Sequence, residues 1–207
     1  MPNQSGSVYG LTILSPIKHE PKLEISHSVA LRMYLANLPR HRDSPFAKLS
    51  STHLARLVVM NDVVYVGMPA CEEHLQLKYL IFESNFDGDL DTYLERMARE
   101  IPDTVNAVWQ HCVGYPGVQN VAAFKAYMKK CQIETTFFFA DVNDKTVQQT
   151  LRALQTQSAV AAFIEKNQGQ AAEALQKAFG QFVEALNSSP TPAPAVTRGK
   201  EFGDELT

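Results

Sequence analysis

Nowhere does this chain run to the roughly 20 consecutive apolar residues that a helix needs to cross a bilayer. No integral membrane segment is therefore expected. The opening MPNQSGSVYG has neither a basic start nor an apolar signal core, so the expected location is the cytoplasm. Cysteine is scarce: Cys71, Cys112 and Cys131 are odd in number and form no Cys-x-x-Cys pair, which argues against a disulfide framework and for packed free thiols. Positive charge is also short, with 19 Lys plus Arg against 22 Asp plus Glu and a net charge of -3. Without a dense basic run to follow a phosphate backbone, nucleic acid is not an expected partner. A Gly-x-Gly-x-x-Gly turn, a Walker loop and a Gly-x-Ser-x-Gly elbow are all missing, so nucleotide-dependent and serine-hydrolase readings have no support.

What the chain does have is the composition of a globular protein: 207 residues, 45% hydrophobic and 20% charged, enough for one cored domain with appendages. Residues 1–7 are polar and expected to be disordered. VYGLTILSPIK, from Val8 to Lys18, alternates as a strand, and SHSVALRMYLANLP then reads as a helix with a serine at its start and Pro39 at its end. THLARLVVM (Thr52 to Met60) and KYLIFESNF (Lys78 to Phe86) are two more strands. Leu90, Tyr93, Leu94, Met97 and Ile101 form a helical stripe that stops at Pro102, after which Asp103 can cap a further turn or two. A short helix, VAAFKAYMKK, precedes IETTFFFADV (Ile133 to Val142), the most strand-like composition in the chain.

Strand, helix, strand, strand, helix, strand is the ferredoxin-like α+β plan, with helices on one face of an antiparallel sheet, here over residues 8–142. Because side chains alternate along a strand, Phe137, Phe138 and Phe139 put large apolar groups on both faces. The second face needs a cover, which is a reason to expect a homodimer. Residues 143–187 read as a helical extension whose last amphipathic helix, Ala171 to Leu186, either folds back or docks on a partner. Residues 188–207, rich in proline and small residues, read as a disordered tail.

The stretch ESNFDGDLDTYLERM sets Asp87, Asp89 and Asp91 around Gly88, as a calcium loop begins. The register fails: counted from Asp87, position six is Thr92 and position twelve Ala98; counted from Asn85, they are Leu90 and Arg96. A strand-to-helix junction fits better, with Gly88 giving a permissive backbone and Asp89, Asp91 or Thr92 capping the helix. The six histidines form no pair at helical metal-ligand spacing, and no metal site is expected.

Strand alternation puts Arg56 among apolar neighbours, where Glu83 can be its structural ion partner or a bound anion its ligand. His53, Arg56, Glu83, Asn85 and Asp87 are the candidate ligand-binding residues. In WQHCVGYPG, an imidazole, a thiol and a phenol lie near a Gly-Pro-Gly bend, which makes His111 and Tyr115 the candidate catalytic pair. The plainer reading of His111 is a helix-end residue beside a packed tryptophan.

THLARLVVM, YLIFESNFDGDLDTYL and VWQHCVGYPG together resemble a bacterial family of uncertain function with a ferredoxin-like core. At fold level the chain is similar to the dimeric α+β barrel superfamily of monooxygenase-like, chlorite-dismutase-like and dye-decolourising-peroxidase-like proteins. That resemblance implies an oxidoreductase with a small-molecule ligand between sheet and helices or between subunits. Haem enters by fold analogy alone, since the histidine with a distal arginine or aspartate of haem-binding members has no match here, and the cofactor stays unknown. The alternative is a non-catalytic accessory module that binds a partner protein through its sheet face or C-terminal helix.

Overall fold

The computed structural model describes residues 3–40, 43–63, 67, 74–141 and 143–190. Its sheet is built from β1 (Gln4–Ser5), β2 (Val8–Pro16), β3 (Thr52–Met60), β4 (Tyr79–Asp87) and β5 (Gln132–Ile133). β4 lies between β2 and β3, β5 and β1 share the outer edge of β2, and every pairing is antiparallel. Helix α1 (His27–Ala36) connects β2 to β3, while α2 (Leu90–Glu100), α3 (Pro102–Trp109) and α4 (Val121–Lys130) connect β4 to β5. The fold is therefore α+β and ferredoxin-like, with a helical extension of α5 (Val147–Asn167) and α6 (Ala172–Ser188).

Alternation decides which side of the sheet is dry. Leu11, Ile13 and Ser15 of β2 and Leu80, Phe82, Ser84 and Phe86 of β4 are all buried on the helix side. Against them pack Leu31 of α1, Tyr93, Leu94 and Met97 of α2, and Trp109, Phe124 and Met128 beyond. Tyr93 stacks on Phe86 with ring centroids 3.7 Å apart and shares its hydroxyl with Ser84 at 2.8 Å, so the one polar group this ring buries is paired.

At the β4–α2 junction Gly88 has φ 96°, a conformation that side chains resist, and Asp89 is the N-cap, accepting the Thr92 amide at 2.9 Å. Asp91, another of the three cap candidates, turns instead to Lys125 and Lys129 of α4. Each of the three aspartates thus has a separate role, since Asp87 bonds elsewhere. α3 starts at Pro102, a residue suited to a first turn, and Asp103 lies in that turn without capping it.

Two expectations are corrected. The Ile133–Val142 strand is reduced to Gln132–Ile133, and residues 134–141 run on without a ladder; Val142 lies outside the described residues. The edge they would extend is taken by the N-terminus, which was expected to be disordered but forms β1 on Val8 and Tyr9. Asn3, buried, bonds Gly10 O at 3.0 Å and Thr135 Oγ1 at 3.2 Å, tying the two segments together. Of the three phenylalanines, Phe138 lies over Gly10, while Phe137 and Phe139 are 83% and 69% exposed.

α6 returns along α5 through Phe163, Phe179 and Phe182, and none of its residues is buried. Arg152 of α5 donates to the carbonyls of Leu186 and Ser189, satisfying the open C-terminal end of α6. Of the expected disordered tail, residues 188–190 are described, with Ser188 closing α6, and residues 191–207 lie outside the described residues.

Candidate functional site

The face of the sheet turned away from α1 to α4 is organised in rows across three strands. Gly10, Asn85 and Leu54 make one row; Thr12, Glu83 and Arg56 the next; Leu14, Ile81 and Val58 follow; Pro16, Tyr79 and Met60 end the series. Leu54 and Val58 are 49% and 41% exposed, so the described chain does not close over this face. Its other end is covered where Phe138 sits on Gly10 and where α5 begins.

Asp87 stands at that covered corner. Its Oδ1 lies 2.8 Å from His53 Nε2, and its Oδ2 accepts the Val147 amide at 2.8 Å. Simple alternation would have put His53 with Ala55 on the helix side. A bulge between Thr52 and Leu54 takes it out of step, which lets its imidazole reach the carboxylate on the open face. One row along, Arg56 Nε donates to Glu83 Oε2 at 2.6 Å, and a second guanidinium nitrogen also contacts that oxygen. The structural ion pair foreseen for these two residues is present.

All five candidate ligand-binding residues, His53, Arg56, Glu83, Asn85 and Asp87, therefore share one face and consecutive rows. His111 and Tyr115 do not join them. His111 follows α3, and its Nδ1 lies 3.0 Å from Nδ1 of His27 on α1. A single proton can occupy that gap, so at least one ring is neutral there. Burial first, then the neighbouring His27 and Lys18, hold the His111 imidazole below its ordinary pKa.

Tyr115 faces α3 and α4: it donates to Asn106 Oδ1 at 2.8 Å and meets Phe124 and Tyr127 edge-on. Burial raises its phenol pKa, and burial pushes the Cys112 thiol up to about 12, so neither group is primed as a nucleophile near neutrality.

His111 has its Nδ1 engaged by a second histidine, and His53 has its Nε2 engaged by Asp87. Among the described residues no group of three or more His, Cys, Asp or Glu is placed to hold a metal ion. Also among the described residues, no helix is long and apolar enough to cross a membrane.

Comparison of the chain with protein-family models, curated proteins and solved structures finds no match. Two contributors were not visible in the sequence. The Val147 amide reaches Asp87 across sixty positions, and Asn3 looked like part of a disordered start.

Proposed function

We propose that this chain is a small-molecule-binding protein whose site lies on the open sheet face at its Asp87 end, with a second copy of the chain as the opposite wall. The observation that carries the reading is the His53–Asp87 pair, in line with Asn85 and the Arg56–Glu83 pair, on a face otherwise made of Leu54, Val58, Ile81 and Met60. Few polar groups converging on an apolar wall is the usual composition of a ligand site. Exposed apolar groups on a sheet face favour a partner, and a second copy is the simplest source of one.

In this reading Asp87 fixes the imidazole through Nε2 and leaves Nδ1 to take or give a proton. Asn85 supplies a donor and an acceptor for orienting a ligand, and Arg56, already neutralised by Glu83, contributes shape and a remaining donor edge. The ligand class that fits is an apolar, weakly acidic molecule such as a substituted phenol.

Sedimentation velocity and ¹⁵N-resolved titration with a set of substituted phenols test this. A dimer that Val58→Glu dissociates, with ligand shifts at Leu54, Glu83 and Asn85, is expected. A monomeric wild type whose shifts avoid those residues overturns it.

An accessory role is the second reading, favoured by the α5–α6 hairpin, where Ile164 and Phe179 remain exposed. Removal of residues 170–207 would abolish partner capture in that case and leave phenol binding untouched.

A further inference from the structure

Away from the open sheet face, the fold brings two histidines from distant parts of the chain to one point. His27 is the first residue of α1, whose opening turn is closed by the Val29 and Ala30 amides donating to Ser26 O, each at 3.0 Å. His111 follows α3, and its backbone is pinned to the end of β2, where Lys18 N–H donates to His111 O at 2.9 Å. With both backbones held and α1 packed on α3, the two Nδ1 atoms lie 3.0 Å apart and the ring planes stand at 62°. Both residues are only half-buried, so small solutes can reach the pair.

That spacing has a meaning beyond a hydrogen bond. Metal–imidazole bonds are about 2.0–2.1 Å long, so two of them end 3.0 Å apart when they meet at about 94°. A tetrahedral ion would hold the nitrogens about 3.3 Å apart. The observed distance is therefore that of adjacent ligands in octahedral or square-planar coordination, which nickel and copper favour over zinc. An outer partner is also in place. Metal-bound histidines usually give their other N–H to a carboxylate. His27 Nε2 is shielded from solvent without a completed hydrogen bond, and Glu20 Oε1 stands 3.3 Å from it. Lys18 is the opposing charge, but its Nζ is turned to Gln110 O at 2.8 Å.

We propose that His27 and His111 form a two-histidine site for a divalent ion of the nickel or copper type, which takes the place of the proton shared between the two Nδ1 atoms. In the neutral pair one ring carries its proton on Nδ1. On binding, that proton moves to Nε2 of the same ring, so both Nδ1 lone pairs face the ion and no net proton is released. Glu20 then accepts from His27 Nε2–H. Among the described residues no third His, Cys, Asp or Glu completes the shell, so water fills the other positions and the ion is exchangeable.

Trp109, the sole tryptophan of the chain, is buried two positions before His111 and reports on the site through its fluorescence. Nickel quenches a nearby indole; zinc, with its filled d shell, does not. The test titrates the full chain, first stripped with a chelator, with nickel chloride. Saturable quenching by one ion per chain is expected, reversed by chelator and displaced by zinc only at higher concentration. His27→Gln and His111→Gln should each weaken it by more than about tenfold, and Glu20→Gln, an outer partner on an exposed loop, by about tenfold. Glu20→Gln keeps the test decisive if either histidine variant unfolds, because its side chain is 56% exposed. His74→Gln should change nothing. An unquenched wild type, meaning a histidine–histidine hydrogen bond only, overturns the proposal. So do quenching that survives His27→Gln or Glu20→Gln unchanged, quenching that His74→Gln removes, and zinc binding as tight as nickel. Phenol binding at the sheet face enters none of these outcomes, so the two readings are tested separately.

Discussion

His53 Nε2 lies 2.8 Å from Asp87 Oδ1, and the second oxygen of the same carboxylate holds the first amide of α5. One side chain at the end of β4 thus fixes both a histidine on the neighbouring strand and the start of the helical extension. Asp87 is also the less exposed of the two side chains, at 10% against 27% for His53. Its loss should be felt more widely than the loss of its partner.

Asp87→Ala leaves the Val147 amide and the imidazole without their acceptor. Charged hydrogen-bond partners of this sort cost about 1–3 kcal/mol when removed. His53→Ala removes one bond from a side chain with more access to water, so a smaller loss, about 1 kcal/mol, is expected. Urea unfolding gives both values, and amide exchange at Val147 separates them: it should accelerate in Asp87→Ala and stay slow in His53→Ala. Equal exchange in the two variants would mean that Asp87 does not hold α5.

Gly10 is where Phe138, in the segment that follows β5, lies against the sheet. A Cβ built there would lie 2.8 Å from the Phe138 ring, too close for either group to stay in place. Gly10→Ala should therefore displace Phe138 and cost about 1–3 kcal/mol, the usual range for overpacking. The cost should shrink when Phe138→Ala is already present, because the clash is then gone. A thermal-denaturation cycle of the two variants measures this, and strictly additive losses would refute the contact.

Some of this was legible beforehand, and the reasons are local. β3 and β4 were readable because alternation and β-branched content agree over nine residues each, with the burial of β4 alternating residue by residue. A cap at the start of α2 was readable because small acids precede an amphipathic stripe, but the choice among Asp89, Asp91 and Thr92 was not, since it depends on where the backbone leaves β4. The Thr-Thr-Phe-Phe-Phe run misled, since strand propensity says nothing of whether a sheet edge is free, and β1 had taken this one. The bulge at His53 was likewise invisible: it exists only in the pairing of β3 with β4, yet it decides that His53 and Asp87 meet. His111 and Tyr115 stood close in sequence, but the turn between them sends one toward α1 and the other toward α4.

The His27–His111 contact makes stability depend on pH in a definite direction. An unfolded histidine titrates near pH 6.5. Folded His111 titrates lower, because burial, His27 and Lys18 all disfavour its cation. Glu20 Oε1 lies 3.3 Å from His27 Nε2, so this acid faces the other ring of the pair. Between the two pKa values the unfolded state binds more protons, so this contribution is complete above about pH 6.5 and declines as pH falls toward the folded value. His111→Gln should flatten the change in urea midpoint between pH 7.5 and 5.5. If wild type and variant lose stability in parallel, the contact carries no linkage.

Asp89 has the opposite origin and a separate window. The Thr92 amide, and then the Thr92 hydroxyl, bond its carboxylate and hold its pKa below the ordinary value. A depressed carboxylate stabilises the fold above its unfolded pKa, about 3.9, and that support is lost as pH drops through the folded value. Asp89→Ala should cost about 1 kcal/mol at neutral pH, as N-cap removals do, and Asp89→Asn much less, because an amide oxygen can still accept from Thr92. Asp89→Asn should also lose the acid-side dependence while keeping the cap. A calcium loop would behave differently: added calcium would raise the melting temperature of the wild type, and Asp89→Asn would abolish that rise. No calcium-dependent shift is expected, because Asp87 serves His53 and Val147, Asp89 serves α2, and Asp91 serves Lys125 and Lys129.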